Sequence, residues 1–201
     1  MKKKFAVDKA FDYGWSSMKP NFWFFASVLA FVFIMYTALS YLMKHSGSLN
    51  TVLTIIYYFV CILVSIGLIK IALKIYEKKK NDFLDIINSY EQFLDYLIAS
   101  IIYGIILFVG FILLIVPGII MMSRLMFYPY LIVNKNMGPI KALKKSWEIT
   151  QDHTSQVFVF WLMSSLINII GMLVFGIGLF VSIPVTLMAQ AYVYKQLMGS
   201  K

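Results

Sequence analysis

"PGIIMMSRLMFYPYLIVNKNMG", Pro117 to Gly138, is apolar enough to lie in a bilayer, yet it carries an arginine, Arg124. No aspartate or glutamate occurs between Asp95 and Glu148, so the local sequence offers this cation no acidic partner. A helix crossing a bilayer needs about 20 mainly apolar residues. This run meets that length, and so do its neighbours. Pro20–Met43 and His45–Ile69 carry no formal charge. Tyr96–Ser123, continued past Arg124 to Asn134, is long enough for two crossings, and His153–Tyr194 for two more.

The expected fold is therefore all-α: a polytopic membrane protein, one integral domain over residues 1–201, with six transmembrane helices arranged as three hairpins. The expected spans are about 21–43, 52–74, 96–115, 117–134, 155–175 and 177–195. Composition agrees. The chain is 61% apolar and 13% charged, whereas a soluble domain carries about 25% charged residues.

The formal net charge of +9 could suggest nucleic acid, but its placement points elsewhere. The lysines flank apolar runs and form no basic, aromatic-interleaved stretch, so no nucleic-acid partner is expected. Lys2, Lys3, Lys4, Lys9 and Lys19 precede the first span, and Lys74, Lys78, Lys79 and Lys80 follow the second. Lys135, Lys141, Lys144 and Lys145 separate the fourth from the fifth, and Lys195 and Lys201 end the chain. The opposite connections, Lys44–Asn50, Val116–Gly118 and Phe175–Gly178, contain a single lysine. Lysine-rich loops stay inside, so both termini are expected in the cytoplasm. In "MKKKFAVDKAFDYGW", Asp8, Lys9 and Asp12 interrupt any signal-like apolar stretch, and no cleavage is expected.

The segment before each odd-numbered span has helical periodicity. Residues 5–19 offer Val7, Phe11, Trp15 and Met18 on one stripe. Residues 82–95 offer Phe83, Ile86, Ile87, Tyr90 and Phe93, and residues 139–152 offer Ile140, Leu143, Trp147 and Thr150. Each is expected to be an amphipathic helix on the cytoplasmic surface. "KAFDYGW" (Lys9–Trp15) and "KALKKSW" (Lys141–Trp147) match in frame, so the chain reads as three units, each an interfacial helix followed by a hairpin. Two uses of these helices stay open. They could anchor the protein in the headgroup boundary. Alternatively, Lys141, Lys144 and Lys145 could pair with Asp82, Asp85, Glu91 and Asp95, or hold anionic lipid at about 1 kcal/mol per lysine.

Arg124 costs about 2.5–3.5 kcal/mol at a helix centre, which the surrounding Ile, Leu, Phe and Val residues roughly cancel at about 0.3–0.6 kcal/mol each. Its insertion therefore needs no functional partner. It lies about 10 Å along the helix from Pro117, and its side chain should lean towards the helix N-terminus. It can snorkel to the outer headgroups, or it can face Ser164, Asn168 and Gln190 across a cavity that takes an anionic headgroup or solute. Pro129 and Pro184 should each kink their spans.

Catalytic patterns are missing. No carboxylate pair lies in a span, and His45 and His153 fall on opposite sides of the membrane. Cys61 is the only cysteine, so neither a disulfide within the chain nor a zinc or haem spacing is available. No enzymatic activity, metal or cofactor is expected.

The run Leu113–Phe158, with Pro117–Gly118, Arg124, Phe127, Tyr128, Tyr130, the Gly138–Pro139 break, Ala142 and Ser146, resembles a family of uncharacterised bacterial six-helix membrane proteins. That family is related to the membrane domain of some glycerophosphoryl diester phosphodiesterases. Ile66–Tyr90 resembles its preceding hairpin end and cytoplasmic helix. The resemblance implies six helices and a plasma-membrane location, and no established activity. The expected role is organisation of lipid, anionic by its lysine contacts, or of a protein partner or second copy, through the cytoplasmic helices. The alternative is a facilitator of an anionic solute with a cavity near Arg124.

Overall fold

The computed structural model describes residues 5–45, 50–79, 90–174 and 176–199, and all regular structure among them is helical. In chain order the helices are α1 (Val7–Met18), α2 (Phe22–His45), α3 (Asn50–Tyr76), α4 (Phe93–Leu113), α5 (Ile115–Leu125), α6 (Tyr128–Lys135), α7 (Pro139–Thr150), α8 (Thr154–Leu173) and α9 (Leu179–Gly199). Short 3-10 turns join α1 to α2 at Lys19–Asn21 and α7 to α8 at Gln151–His153. The interfacial helix expected over 82–95 lies largely outside the described residues. Its last part, from Tyr90, leads directly into α4.

Among the described residues, five helical stretches are long and apolar enough to cross a membrane: Val7–Leu42, Asn50–Tyr76, Tyr90–Leu113, Ile115–Lys135 and Pro139–Leu173. Their outer faces expose Phe31, Ile34, Ile55, Ile101, Ile105, Phe108, Ile112 and Ile170, a girdle far beyond the apolar patches of a soluble monomer. Helix α9 is different. Its Ser182, Thr186, Ala189, Ala191 and Tyr194 are buried among the other helices. It needs less apolar character because its neighbours, rather than the surrounding medium, contact most of its surface.

Small residues set the close crossings. A Cβ on Gly14 of α1 would lie 2.5 Å from the Val185 carbonyl oxygen of α9, so the two backbones touch. In the α8–α9 hairpin a Cβ on Gly178 would meet the Gly171 carbonyl at 2.6 Å, and in the α4–α5 hairpin one on Gly118 would meet the Phe111 ring at 2.7 Å. The two hairpins, about 60 residues apart, are closed in the same way. Helices α6 and α9 then run parallel at that same offset. Tyr130 donates to the Leu187 carbonyl at 3.1 Å, and the Asn134 amide donates to the Tyr194 hydroxyl at 2.9 Å.

Three expectations are corrected here. The α4–α5 connection is not a Val116–Gly118 turn. The chain breaks at Leu114, in extended conformation, and Pro117 sits in the first turn of α5, where its missing N–H costs nothing. Span 117–134 is not one kinked helix. It is interrupted at Met126–Phe127, and Pro129 opens α6. The buried faces of the two amphipathic helices are also rotated from the large-residue stripes. Helix α1 buries Ala10, Gly14 and Met18 while Trp15 stays 49% exposed. Helix α7 buries Ala142, Leu143, Ser146, Ile149 and Thr150 while Ile140 and Trp147 stay exposed. Small side chains let backbones approach, so they, rather than the aromatics, choose the contact face. The in-frame match between the two helices survives. Ala10 and Ala142, Gly14 and Ser146, and Trp15 and Trp147 occupy equivalent environments.

At the lysine-rich end Glu77 binds Lys195 at 2.6 Å and Lys79 at 2.5 Å. Lys195 also reaches the Asn134 amide oxygen at 3.5 Å, so one cluster ties the end of α3 to α6 and α9. The hydrogen bonds from Lys195, then Lys79, pull the Glu77 carboxyl down from 4.5 to about 2. A depressed carboxyl stabilises the fold above its unfolded pKa and loses that contribution as the pH falls through the folded value. Thermal stability should therefore be level above pH 4.5 and fall as the pH drops towards 2, with Glu77→Gln flattening that part of the profile. Thermal melts of the detergent-solubilised chain should also show Gly14→Ala lowering stability by about 1–3 kcal/mol through overpacking. Gly104→Ala, which meets nothing within 4 Å, should be neutral or stabilising by up to about 1 kcal/mol.

Candidate functional site

Pro129 cannot donate to the Leu125 carbonyl, and the helix stops there. A stop leaves backbone groups without helical partners, and an unpaired peptide group in an apolar surround costs several kcal/mol. Helix α7 supplies partners from outside. After the left-handed Asn136 and Gly138, it runs back along α6 and brings Ser146 to the interruption. The Phe127 N–H donates to Ser146 Oγ at 3.3 Å, and that hydroxyl donates to the Arg124 carbonyl at 2.9 Å. One side chain thus bridges both sides of the gap. Thr150 Oγ1 lies 3.1 Å from the same carbonyl and 2.8 Å from the Ser146 carbonyl. Its single proton serves one of them at a time. Both hydroxyl residues are fully buried.

Arg124 belongs to the same junction. Its Nη2 donates to the Trp147 carbonyl at 3.1 Å, and its guanidinium carbon sits 3.6 Å from the centre of the Trp147 ring. This is close stacking of a cation on an aromatic face. The side chain turns to α7 and does not reach along α5 to the hairpin. It does not meet Asn168 or Gln190 either. The Asn168 amide donates to Thr186 Oγ1 at 3.4 Å, and Gln190 Oε1 accepts from the Tyr130 hydroxyl at 3.3 Å. The expected site residues therefore separate into two groups. Arg124, Ser146, Trp147 and the α7 lysines share one region, while Asn168 and Gln190 belong to the α8–α9–α6 packing.

On α7, Lys145 pairs with Glu148 of its own helix at 3.1 Å. Lys141 and Lys144 are exposed. Of the four acidic partners expected for these lysines, Asp82 and Asp85 lie outside the described residues, and Glu91 and Asp95 form no ion pair with them among the described residues. Beside α7 is an open groove of about 470 Å³. Ile106 of α4, Met121 and Leu125 of α5 and Leu143 of α7 form its apolar part, with Lys144, Trp147, Glu148 and Gln151 at the polar edge. A second groove of about 520 Å³, among α2, α3 and the α8–α9 hairpin, is lined by Leu29, Val32, Phe33, Tyr36, Phe180 and Ile183, with no charged residue among the described lining.

Sequence reading singled out Ser146 and Trp147 as a motif but missed what they hold. The available signal was Pro129, whose missing N–H orphans the Leu125 carbonyl and ends the helix there, next to the Arg124 carbonyl that Ser146 takes up. Among the described residues no group of three or more His, Cys, Asp or Glu could hold a metal ion.

Residues 93–199 match the family model described as a domain of unknown function, DUF7847. The match spans more than half of the chain, and the chain belongs to that family. It takes in α4 through α9, and with them the whole Arg124–Ser146–Trp147 junction. No curated protein and no solved structure matches the chain.

Ser146→Ala removes the bridge and leaves the Phe127 N–H without its partner, while the Arg124 carbonyl keeps only the shared Thr150 hydroxyl. Each unsatisfied buried group costs about 1–3 kcal/mol, so the detergent melt should drop well beyond that of Ser100→Ala. Ser100 is a part-buried control whose hydroxyl serves Tyr96 and Tyr128.

Proposed function

We propose that this DUF7847 chain is a non-enzymatic bacterial plasma-membrane protein that organises anionic lipid, or a partner bound with it, through the helices that precede its spans. In this reading Leu179–Gly199 completes six crossings, and both termini and the lysine-rich connections face the cytoplasm. Kinship with the membrane domain of glycerophosphoryl diester phosphodiesterases belongs to the same proposal. The carrying observation is the polar edge of α7. Lys141 and Lys144 are exposed with no ion-pair partner among the described residues, beside a half-exposed Trp147 and an apolar groove. A juxtamembrane lysine contributes about 1 kcal/mol to anionic-lipid attraction, and an indole suits the headgroup level.

The facilitator reading requires Arg124 to face a cavity with Asn168 and Gln190. The arginine instead spends one donor and its π-contact on α7, which supports a positioning role. Native mass spectrometry of the full chain extracted from membranes separates the two readings. Wild type should retain phosphatidylglycerol in preference to phosphatidylethanolamine. Lys141→Gln/Lys144→Gln/Lys145→Gln should lose that preference by about fivefold per exposed lysine, while Arg124→Lys keeps it. Solute uptake into vesicles that disappears with Arg124→Ala and survives the triple change would favour the facilitator. Lipid turnover by purified protein would refute the non-enzymatic reading.

A further inference from the structure

We infer that the groove between α4, α5 and α7 is a seat for one anionic phospholipid, with an acyl chain along Ile106, Met121 and Leu125 and the phosphate at Lys144. This rests on the lipid-organising reading and narrows it to a place and a ligand class. The volume of about 470 Å³ falls within the range of about 300–1,000 Å³ typical of small-ligand sites. The apolar part is drawn from three helices, so its shape is set by the bundle and not by one flexible side chain. The Ser146 bridge fixes α7 against the interruption beside it, so the two sides of the groove are held in register.

Charge at the edge chooses the headgroup. Among the described residues Glu148 is the one acidic residue lining the groove, and Lys145 pairs with it at 3.1 Å. That leaves Lys144 as the positive charge on the described lining of the groove. A phosphodiester with a neutral headgroup complements it. A zwitterionic lipid brings its own ammonium to the same place and gains less. The larger groove at Phe33, Tyr36 and Phe180 has no charged residue among its described lining, and so no described charge with which to select among lipids.

The test uses Trp147 as the only tryptophan, in the full chain carrying Trp15→Phe, Trp23→Phe and Trp161→Phe. The protein is reconstituted in phosphatidylcholine vesicles containing rising fractions of chain-brominated phosphatidylglycerol or chain-brominated phosphatidylcholine. The brominated phosphatidylglycerol should quench Trp147 with about fivefold higher apparent association, the factor that one lysine's contribution of about 1 kcal/mol gives. Lys144→Gln should bring the two lipids to parity and Lys144→Arg should restore the preference, with unchanged melting temperature for this exposed site. Met121→Phe, which fills the groove, should lower quenching by both. Equal quenching in the parent, or a preference that persists in Lys144→Gln, overturns the seat. So does quenching by neither lipid in a sample that is dimeric by native mass spectrometry, which would assign the groove to a second copy. Phosphatidylglycerol retained in the mass spectrum without preference at Trp147 refutes this groove alone. Loss of both refutes the broader reading as well.

Discussion

A single hydroxyl, that of Ser146, stands between two ends of backbone that cannot satisfy each other. Pro129 stops α5–α6 from being one helix, and the interruption lies among Phe127, Tyr130 and Leu131, all buried. Water has no easy access there, and an unpaired carbonyl or N–H would cost more than most side-chain contacts return. By accepting from Phe127 and donating to Arg124, Ser146 makes the break tolerable and fastens α7 to it. The position of Trp147, the stacking of Arg124 and the line of the groove all follow from that attachment. Replacing Ser146 by any larger residue would push α7 away from a contact that is 0% exposed.

Helix α1 repeats the arrangement with a different atom at its centre. Gly14 stands where α7 has Ser146. Instead of donating a hydrogen bond it clears space, so that α1 lies directly on the Val185 carbonyl beside Pro184 of α9. Both docking helices thus meet a proline-containing stretch of a later or neighbouring helix, one by filling a hydrogen-bonding gap and the other by removing a side chain. The glycine-closed hairpins and the parallel α6–α9 pair carry the same duplication through the second and third units.

Much of this was legible in the chain itself. Uncharged runs marked the long helices, and Ala142–Ser146–Trp147 against Ala10–Gly14–Trp15 announced the repeat. What was not legible has physical causes. Periodicity counts large apolar residues, whereas close packing is made by small ones, so the stripes through Trp15 and Trp147 are rotated from the buried faces and share with them only Met18, Leu143 and Thr150. The partner of Arg124 is a carbonyl and an indole on another helix, and neither carries a charge that a search for counter-ions would find. Helix α9, expected over 177–195, is packed among its neighbours, and its uncharged run did not announce the burial of Ser182, Thr186 and Tyr194. The hairpin turn was placed at Pro117–Gly118 because those residue types usually mark turns, but proline is equally at home in a first helical turn.

The bridging role of Ser146 can be observed at one atom. Amide hydrogen exchange of Phe127 in the detergent-solubilised chain reads its N–H directly. The account predicts slow exchange in the wild type and a selective acceleration at Phe127 and its immediate neighbours in Ser146→Ala, with α4 amides unchanged. Unaltered protection of Phe127 when the Ser146 hydroxyl is gone would contradict it, because the backbone would then be satisfied by some partner other than α7.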